Sequence, residues 1–134
     1  MNQVEGQISG IQSSDHMSLV FLDLGNGIEF QSILLDTQES AHYLQKGNRV
    51  NILFKETELV LSKEKEINIS LENQILASIT EIKKGEILTR IRLKTVIGDL
   101  VALISTTSSN NMSLKVKEPI LAMVKFNEVI LSPL

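Results

Sequence analysis

Asn2-Gln3-Val4-Glu5-Gly6-Gln7-Ile8 is answered late in the chain by Asn73-Gln74-Ile75-Leu76-Ala77-Ser78-Ile79. The Asn-Gln pair and the isoleucine that follows recur at an offset of 71, as do Ile11 with Ile82, Leu22 with Leu93, and Gly27 with Gly98. Beyond that glycine the offset is 70, pairing Leu44 with Leu114, Lys55 with Lys125, Glu58 with Glu128, and Leu61-Ser62 with Leu131-Ser132. The single change of offset falls where Gly25-Asn26-Gly27-Ile28-Glu29 is replaced by Ile97-Gly98-Asp99. A glycine turn between β-strands absorbs a one-residue difference easily. Any two β-rich segments share Leu and Ile, but Asn, Gln, Gly, Lys and Glu in matching order are more than that. The chain reads as one module used twice. Residues 1–62 form the first copy, 69–134 the second, and 63–68 a charged connector that opens Lys63-Glu64-Lys65-Glu66.

Each copy reads as strands. In Arg90-Ile91-Arg92-Leu93-Lys94 charged and apolar residues alternate, so Thr89, Ile91, Leu93 and Thr95 share one face of a strand. The matching segment 18–24 is more apolar. Val50–Phe54 with Glu58–Leu61, and Ile120–Val124 with Val129–Leu131, give each copy two further strands. Between strands three and four, the first copy has Asp36-Thr37-Gln38-Glu39-Ser40-Ala41-His42-Tyr43-Leu44 and then Gly47. An Asp or Thr start, an early Glu and a closing Gly predict a short helix there. The second copy has Ser105-Thr106-Thr107-Ser108-Ser109-Asn110-Asn111, residues that favour caps over helix interiors, which predicts a shorter or irregular helix. The expected fold class is all-β: tandem OB-like five-stranded barrels, each with a short helix between strands three and four.

Composition narrows the function classes. Hydrophobic residues make up 43% and charged residues 22% of the 134, as in an ordinary soluble domain. Modules of this size are marginal alone, so the copies are expected to pack together or to oligomerise. Aromatic residues are only 4%, with no Trp and the single Tyr43, and the formal net charge is −3. Neither suits a base-stacking nucleic-acid surface or attraction to an anionic membrane. No cysteine is present, which excludes disulfides and thiol chemistry. The start, Met-Asn-Gln-Val-Glu-Gly, has no signal-peptide pattern and no apolar run approaches a membrane span, so a cytoplasmic location is expected. His16 and His42 have no neighbouring Cys or His, so no metal site is expected. No Gly-x-Ser-x-Gly occurs, and no enzyme is expected. The basic strip of Lys83, Lys84, Arg90, Arg92 and Lys94 suits a solvated sheet face.

Ile69-Ser70-Leu71-Glu72-Asn73-Gln74, the hairpin around Gly98, and Val124-Lys125-Phe126-Asn127-Glu128-Val129-Ile130-Leu131 resemble the Mop (molybdenum-pterin-binding) and TOBE family. The first copy, through Asp36–Ala41 and Phe54-Lys55-Glu56-Thr57-Glu58, resembles the TOBE variant. The likeness covers nearly the whole chain and is closest to the stand-alone, di-Mop arrangement, with neither a helix-turn-helix nor a phosphate loop. The resemblance implies a molybdate or tungstate oxyanion held where modules or subunits meet, in a dimer or trimer of tandem pairs. It implies storage or homeostasis of the anion, or else a ligand-free regulatory module acting with a transporter ATPase or a transcription regulator.

A tetrahedral dianion without a proton needs donors only: hydroxyls, amide NH₂ groups, backbone N–H and a cation. By family position the anion-binding candidates are Ser70, Asn73, Ser105, Ser108, Lys125 and Asn127 in the second copy, with Lys55 and Thr57 persisting in the first. The same residues also suit structural work: serines cap strands and helices, and an edge lysine discourages aggregation. Three departures stand out. Glu72 replaces the Arg usual in the family, Phe126 and Asn127 replace smaller or hydroxylated residues, and Leu35 and Gln38 stand where the second copy has Ser105 and Ser108.

Overall fold

A computed structural model describes all residues, 1–134. In the first copy, β1 spans Asn2–Ser14, β2 Met17–Gly25, β3 Ile28–Leu34, β4 Arg49–Phe54 and β5 Val60–Ser62. In the second, β6 spans Asn73–Lys84, β7 Leu88–Thr95, β8 Gly98–Ser105, β9 Pro119–Val124 and β10 Ile130–Pro133, with one helix, α1, at Thr106–Met112. A 3-10 turn precedes the last strand of each copy, at Glu56–Glu58 and Phe126–Glu128. These elements follow the sequence offsets closely, and so does the irregularity that bends the long strands. The bulge in β1 lies between Ile8 and Gly10, and that in β6 between Ile79 and Glu81. Each bulge lets one strand serve two partners in turn. The first half of β1 pairs with β4 and the second with β2, while β6 divides in the same way between β9 and β7. The result is two curled five-stranded sheets of OB-like plan with little helix, as the duplication predicts.

The last strand of each copy crosses to the other sheet. The strand orders are β10-β4-β1-β2-β3 and β5-β9-β6-β7-β8. β10 pairs with β4 from Ile130↔Leu53 to Pro133↔Val50, and β5 with β9 from Val60↔Met123 to Ser62↔Leu121. Copies in sequence and sheets in space therefore divide the chain differently. One cluster of 22 buried apolar residues draws on both halves, including Val20, Leu22, Ile52 and Phe54 from one and Ile79, Ile91, Leu93 and Ile120 from the other. The alternation expected of 89–95 holds: Thr89, Ile91 and Leu93 are buried.

Two asparagines lock the halves with the same bond made twice. Asn2 Nδ2 donates to Val101 O at 2.9 Å while Val101 N–H donates to Asn2 Oδ1 at 2.8 Å. Asn73 Nδ2 donates to Gln31 O at 2.9 Å while Gln31 N–H donates to Asn73 Oδ1 at 2.6 Å. Gln31 and Val101 are themselves equivalent at the offset of 70, so the two halves are related by an internal pseudo-two-fold.

One of the two helices departs from expectation. The segment 36–48 of the first copy holds only turns where a helix is expected, while the second copy forms its expected short one. Anchoring explains the difference between the copies. Thr106 is buried, its hydroxyl bonded to Gly85 O at 2.8 Å and in contact with Thr89 Oγ1 at 2.9 Å. Ser105 caps the helix, accepting from Ser108 N–H at 3.0 Å, and Ser113 closes it in the left-handed conformation. The residue equivalent to Thr106 is Asp36, which is exposed. There Ser40 Oγ takes the N–H of Thr37 at 2.8 Å, a local bond that competes with helix. Leu44, fully buried, ties this connector to the core, with Ala41 and Tyr43 packed partly buried against it. Tyr43 beside it has its phenol pushed above its ordinary value, first by burial and then by the negative charge of Asp36.

The connector from Lys63 to Glu72 has no regular secondary structure. Its first residue is tethered: Lys63 Nζ lies 3.4 Å from Glu118 Oε1 and donates to Ser113 O at 3.5 Å. Glu118 Oε1 accepts no hydrogen bond, so this ammonium is its sole partner.

Candidate functional site

Pairing with β9 begins at Asn73↔Val124, which sets Glu72 opposite the 3-10 turn that follows β9. Glu72 Oε1 accepts the backbone N–H of Phe126 at 3.0 Å. Lys125, immediately before that turn, is exposed and in extended conformation, and enters no ion pair; Asn127, on the turn, is also exposed. Ser70 lies exposed two residues ahead of Glu72. The structure thus brings Glu72 to the Lys125–Asn127 turn at one corner, and that turn packs against β3 of the first copy.

The pseudo-two-fold generates a matching corner in the first copy. Lys55 precedes its turn in the same extended conformation, and both Lys55 and Thr57 are exposed. Met1 takes the place of Glu72, and its ammonium lies 3.7 Å from Glu56 Oε2. This turn packs against β8 of the second copy, the strand that ends at Ser105. Each turn is thereby applied to a strand of the opposite copy, a consequence of the strand exchange.

The remaining candidates have structural partners. Asn73 is fully buried, and its amide is spent on both backbone groups of Gln31. Ser105 and Ser108 are together at the start of α1, where the Ser105 hydroxyl caps the helix; both are exposed. No hydrogen bond joins either serine to Lys125 or Asn127. Sequence reasoning missed the Glu72–Phe126 bond and the asparagine clamp. The recurrence of Asn-Gln at 2–3 and 73–74 was the available signal for the clamp, since a bond made twice needs its residue twice. Among groups of His, Asp and Glu, none is arranged to hold a metal ion.

The corner of the second copy falls inside a segment that can be assigned. Residues 69–131 match the TOBE domain. The TOBE match begins at Ile69, one residue before Ser70, and ends at Leu131 in the exchanged β10, so it takes in Lys125 and Asn127. A search of the curated proteins finds no match. Among solved structures, the cytoplasmic molybdate-binding protein ModG with molybdate bound superposes with a TM-score of 0.91 at 20% identity, over 99% of this chain and 96% of that one. At this identity the likeness establishes the fold, and it extends through the TOBE segment and the first copy alike. A molybdate-binding protein from Sporomusa ovata is 30% identical over 44% of this chain and 88% of its own, with a TM-score of 0.43. MopII from Clostridium pasteurianum is 25% identical over 43% and 88%, with a TM-score of 0.41. No helix of the chain is long and apolar enough to cross a membrane.

Proposed function

We propose that this chain is a non-enzymatic oxyanion-binding protein that takes molybdate or tungstate and serves its storage or homeostasis in the cytoplasm. The anion site is assigned to the corner of the second copy. There Lys125 supplies a cation, and Ser70 and Asn127 supply neutral donors. Ser105 and Ser108 present hydroxyls at another edge of the same copy; the Ser105 oxygen caps α1, and the two O–H groups are the donors that would complete a site where subunits of a homodimer or homotrimer meet. Lys55 and Thr57 offer a weaker equivalent in the first copy. The observation that carries this reading is the unpaired, exposed Lys125, two residues before the exposed Asn127, within the segment that matches the TOBE domain. Each hydrogen bond to a charged ligand contributes about 1.5–3 kcal/mol, so a few such donors suffice for useful affinity.

Calorimetric titration with molybdate, tungstate, sulfate and phosphate tests the reading. Heat and a thermal shift with the first two are expected; silence with both at millimolar concentration ends it. A second reading rests on Glu72, which already occupies the Phe126 N–H: a ligand-free interaction module for a transporter ATPase or a transcription regulator. That reading requires capture of a protein partner without anion dependence, and stoichiometric molybdenum or tungsten in the purified protein would remove it.

A further inference from the structure

Two corners related by the pseudo-two-fold each engage one carboxylate in a polar contact, and it arrives from opposite sides; the equivalent Glu58 and Glu128, which end the two turns, enter no side-chain bond. In the second copy it comes from the strand side, Glu72, and meets the backbone N–H of Phe126 at 3.0 Å. In the first copy it comes from the turn, Glu56, the equivalent of Phe126, and meets the ammonium of Met1 at 3.7 Å. In each corner one donor is already taken by a carboxylate. We propose that Glu72 is an internal competitor for the oxyanion, a built-in carboxylate that must leave the Phe126 N–H before an anion can use the corner fully. This rests on the oxyanion reading of the same site and concerns its control.

The chemistry follows from placement. Glu72 and Lys125 lie on facing strand ends, so an anion held by Lys125 and the Phe126 N–H sits within a few ångströms of the carboxylate. A carboxylate and a dianion that close repel even in high dielectric, by an amount that corresponds to roughly a tenfold loss of affinity. The Glu72 side chain is exposed and makes one hydrogen bond, so it can swing away at small structural cost. The contact joins residues 54 apart in sequence, so release also loosens one link between the start of β6 and the turn after β9. The carboxylate thus sets a threshold: the corner fills only when the free anion is abundant enough to outcompete it.

The test compares molybdate titrations of the native chain, Glu72→Gln and Glu72→Arg in low-salt buffer, with the thermal midpoint of each variant as the folding control. Gln keeps an oxygen that can accept from Phe126 N–H, so the comparison isolates charge. The expected result is about tenfold tighter binding by Glu72→Gln, still tighter binding by Glu72→Arg, and a gap between native and Gln forms that narrows as salt rises. If the native chain binds and both variants bind equally well, the competitor role is overturned while the oxyanion reading stands. If only the variants bind, the carboxylate closes the native corner: the competitor role is upheld in its strongest form and the native oxyanion function falls. If none of the three binds, both fall together.

Discussion

The two copies share a backbone and divide its uses. Where the first copy has Gly6 beside Ile52, the second has Ala77 and Ala122 at the equivalent positions: the larger side chain of the first copy faces a glycine, and the alanine of the second stands with a small equivalent of Ile52. A Cβ added at Gly6 would lie 2.7 Å from Ile52 Cδ1 and 3.2 Å from Asp23 O. Where the first copy has Gly47 in the left-handed conformation at φ 97, the second holds Lys117 there at φ 73. Both still make the same backbone bond, Gly47 N–H to Ile8 O at 2.8 Å and Lys117 N–H to Ile79 O at 2.7 Å. Where the first copy has Leu35, 82% exposed, the second has the helix-capping Ser105. The fold is thus held by the residues that recur. The lysine of the proposed anion corner recurs as Lys55 and Lys125, but the hydroxyls of Ser105 and Ser108 are replaced by Leu35 and Gln38 in the first copy; on the proposed reading the first half is scaffold and the second carries the site.

The largest expected effects fall on what the copies share. Leu22→Ala and Leu93→Ala, at equivalent and fully buried positions, should each destabilise by roughly 2–5 kcal/mol. Because the core is continuous and the last strands are exchanged, each variant should lower a single denaturant transition; two separated transitions would show that the halves unfold independently. Next come the clamps. Asn2→Ala and Asn73→Ala each strand two part-buried backbone groups and should cost about 1–3 kcal/mol. Nearly equal losses, read from thermal melts, would support the pseudo-two-fold, and a neutral Asn73→Ala would break it.

The packing swap is a sharper test of compensation. Gly6→Ala alone should cost about 1–3 kcal/mol through the overlap with Ile52. Gly6→Ala with Ile52→Ala reproduces the pair found in the second copy, and a double-mutant cycle should show it less damaging than the sum of its parts. Strict additivity would mean that the two sites do not compensate. The smallest effect is a gain. Lys117→Gly relieves a left-handed lysine and should stabilise by about 0.5–1 kcal/mol, since relief of strain is partly offset by glycine's entropy in the unfolded chain. A loss in chemical denaturation would show that the Lys117 side chain makes contacts that outweigh the strain.

Much of this was legible in the sequence, and the limits have physical causes. The change of offset after Gly27 foretold the β2–β3 and β7–β8 turns, and alternation at 89–95 foretold which side chains enter the core. The exchange of β5 and β10 was not legible, because Leu61-Ser62 and Leu131-Ser132 present the same pattern to either sheet. Of the two helices that the sequence predicts, only the shorter one, in the second copy, forms, because propensity sees residues singly. What settles it is the burial of Thr106 against Gly85 and Thr89, a tertiary anchor that Asp36 cannot supply. At the corner, Asn73 looked like a ligand because an amide suited to an oxyanion is equally suited to a pair of backbone groups. Glu72 was visible as a reversal of charge, but its partner, Phe126, is fixed only once β6 and β9 are paired.

The division between scaffold and site can be tested by placing the two equivalent lysines side by side in one molybdate titration. Lys125→Ala should lose most of the anion affinity and Lys55→Ala should retain it, with both variants melting as the native chain does. Equal losses in the two, or loss in Lys55→Ala alone, would contradict the assignment of the anion to the second copy.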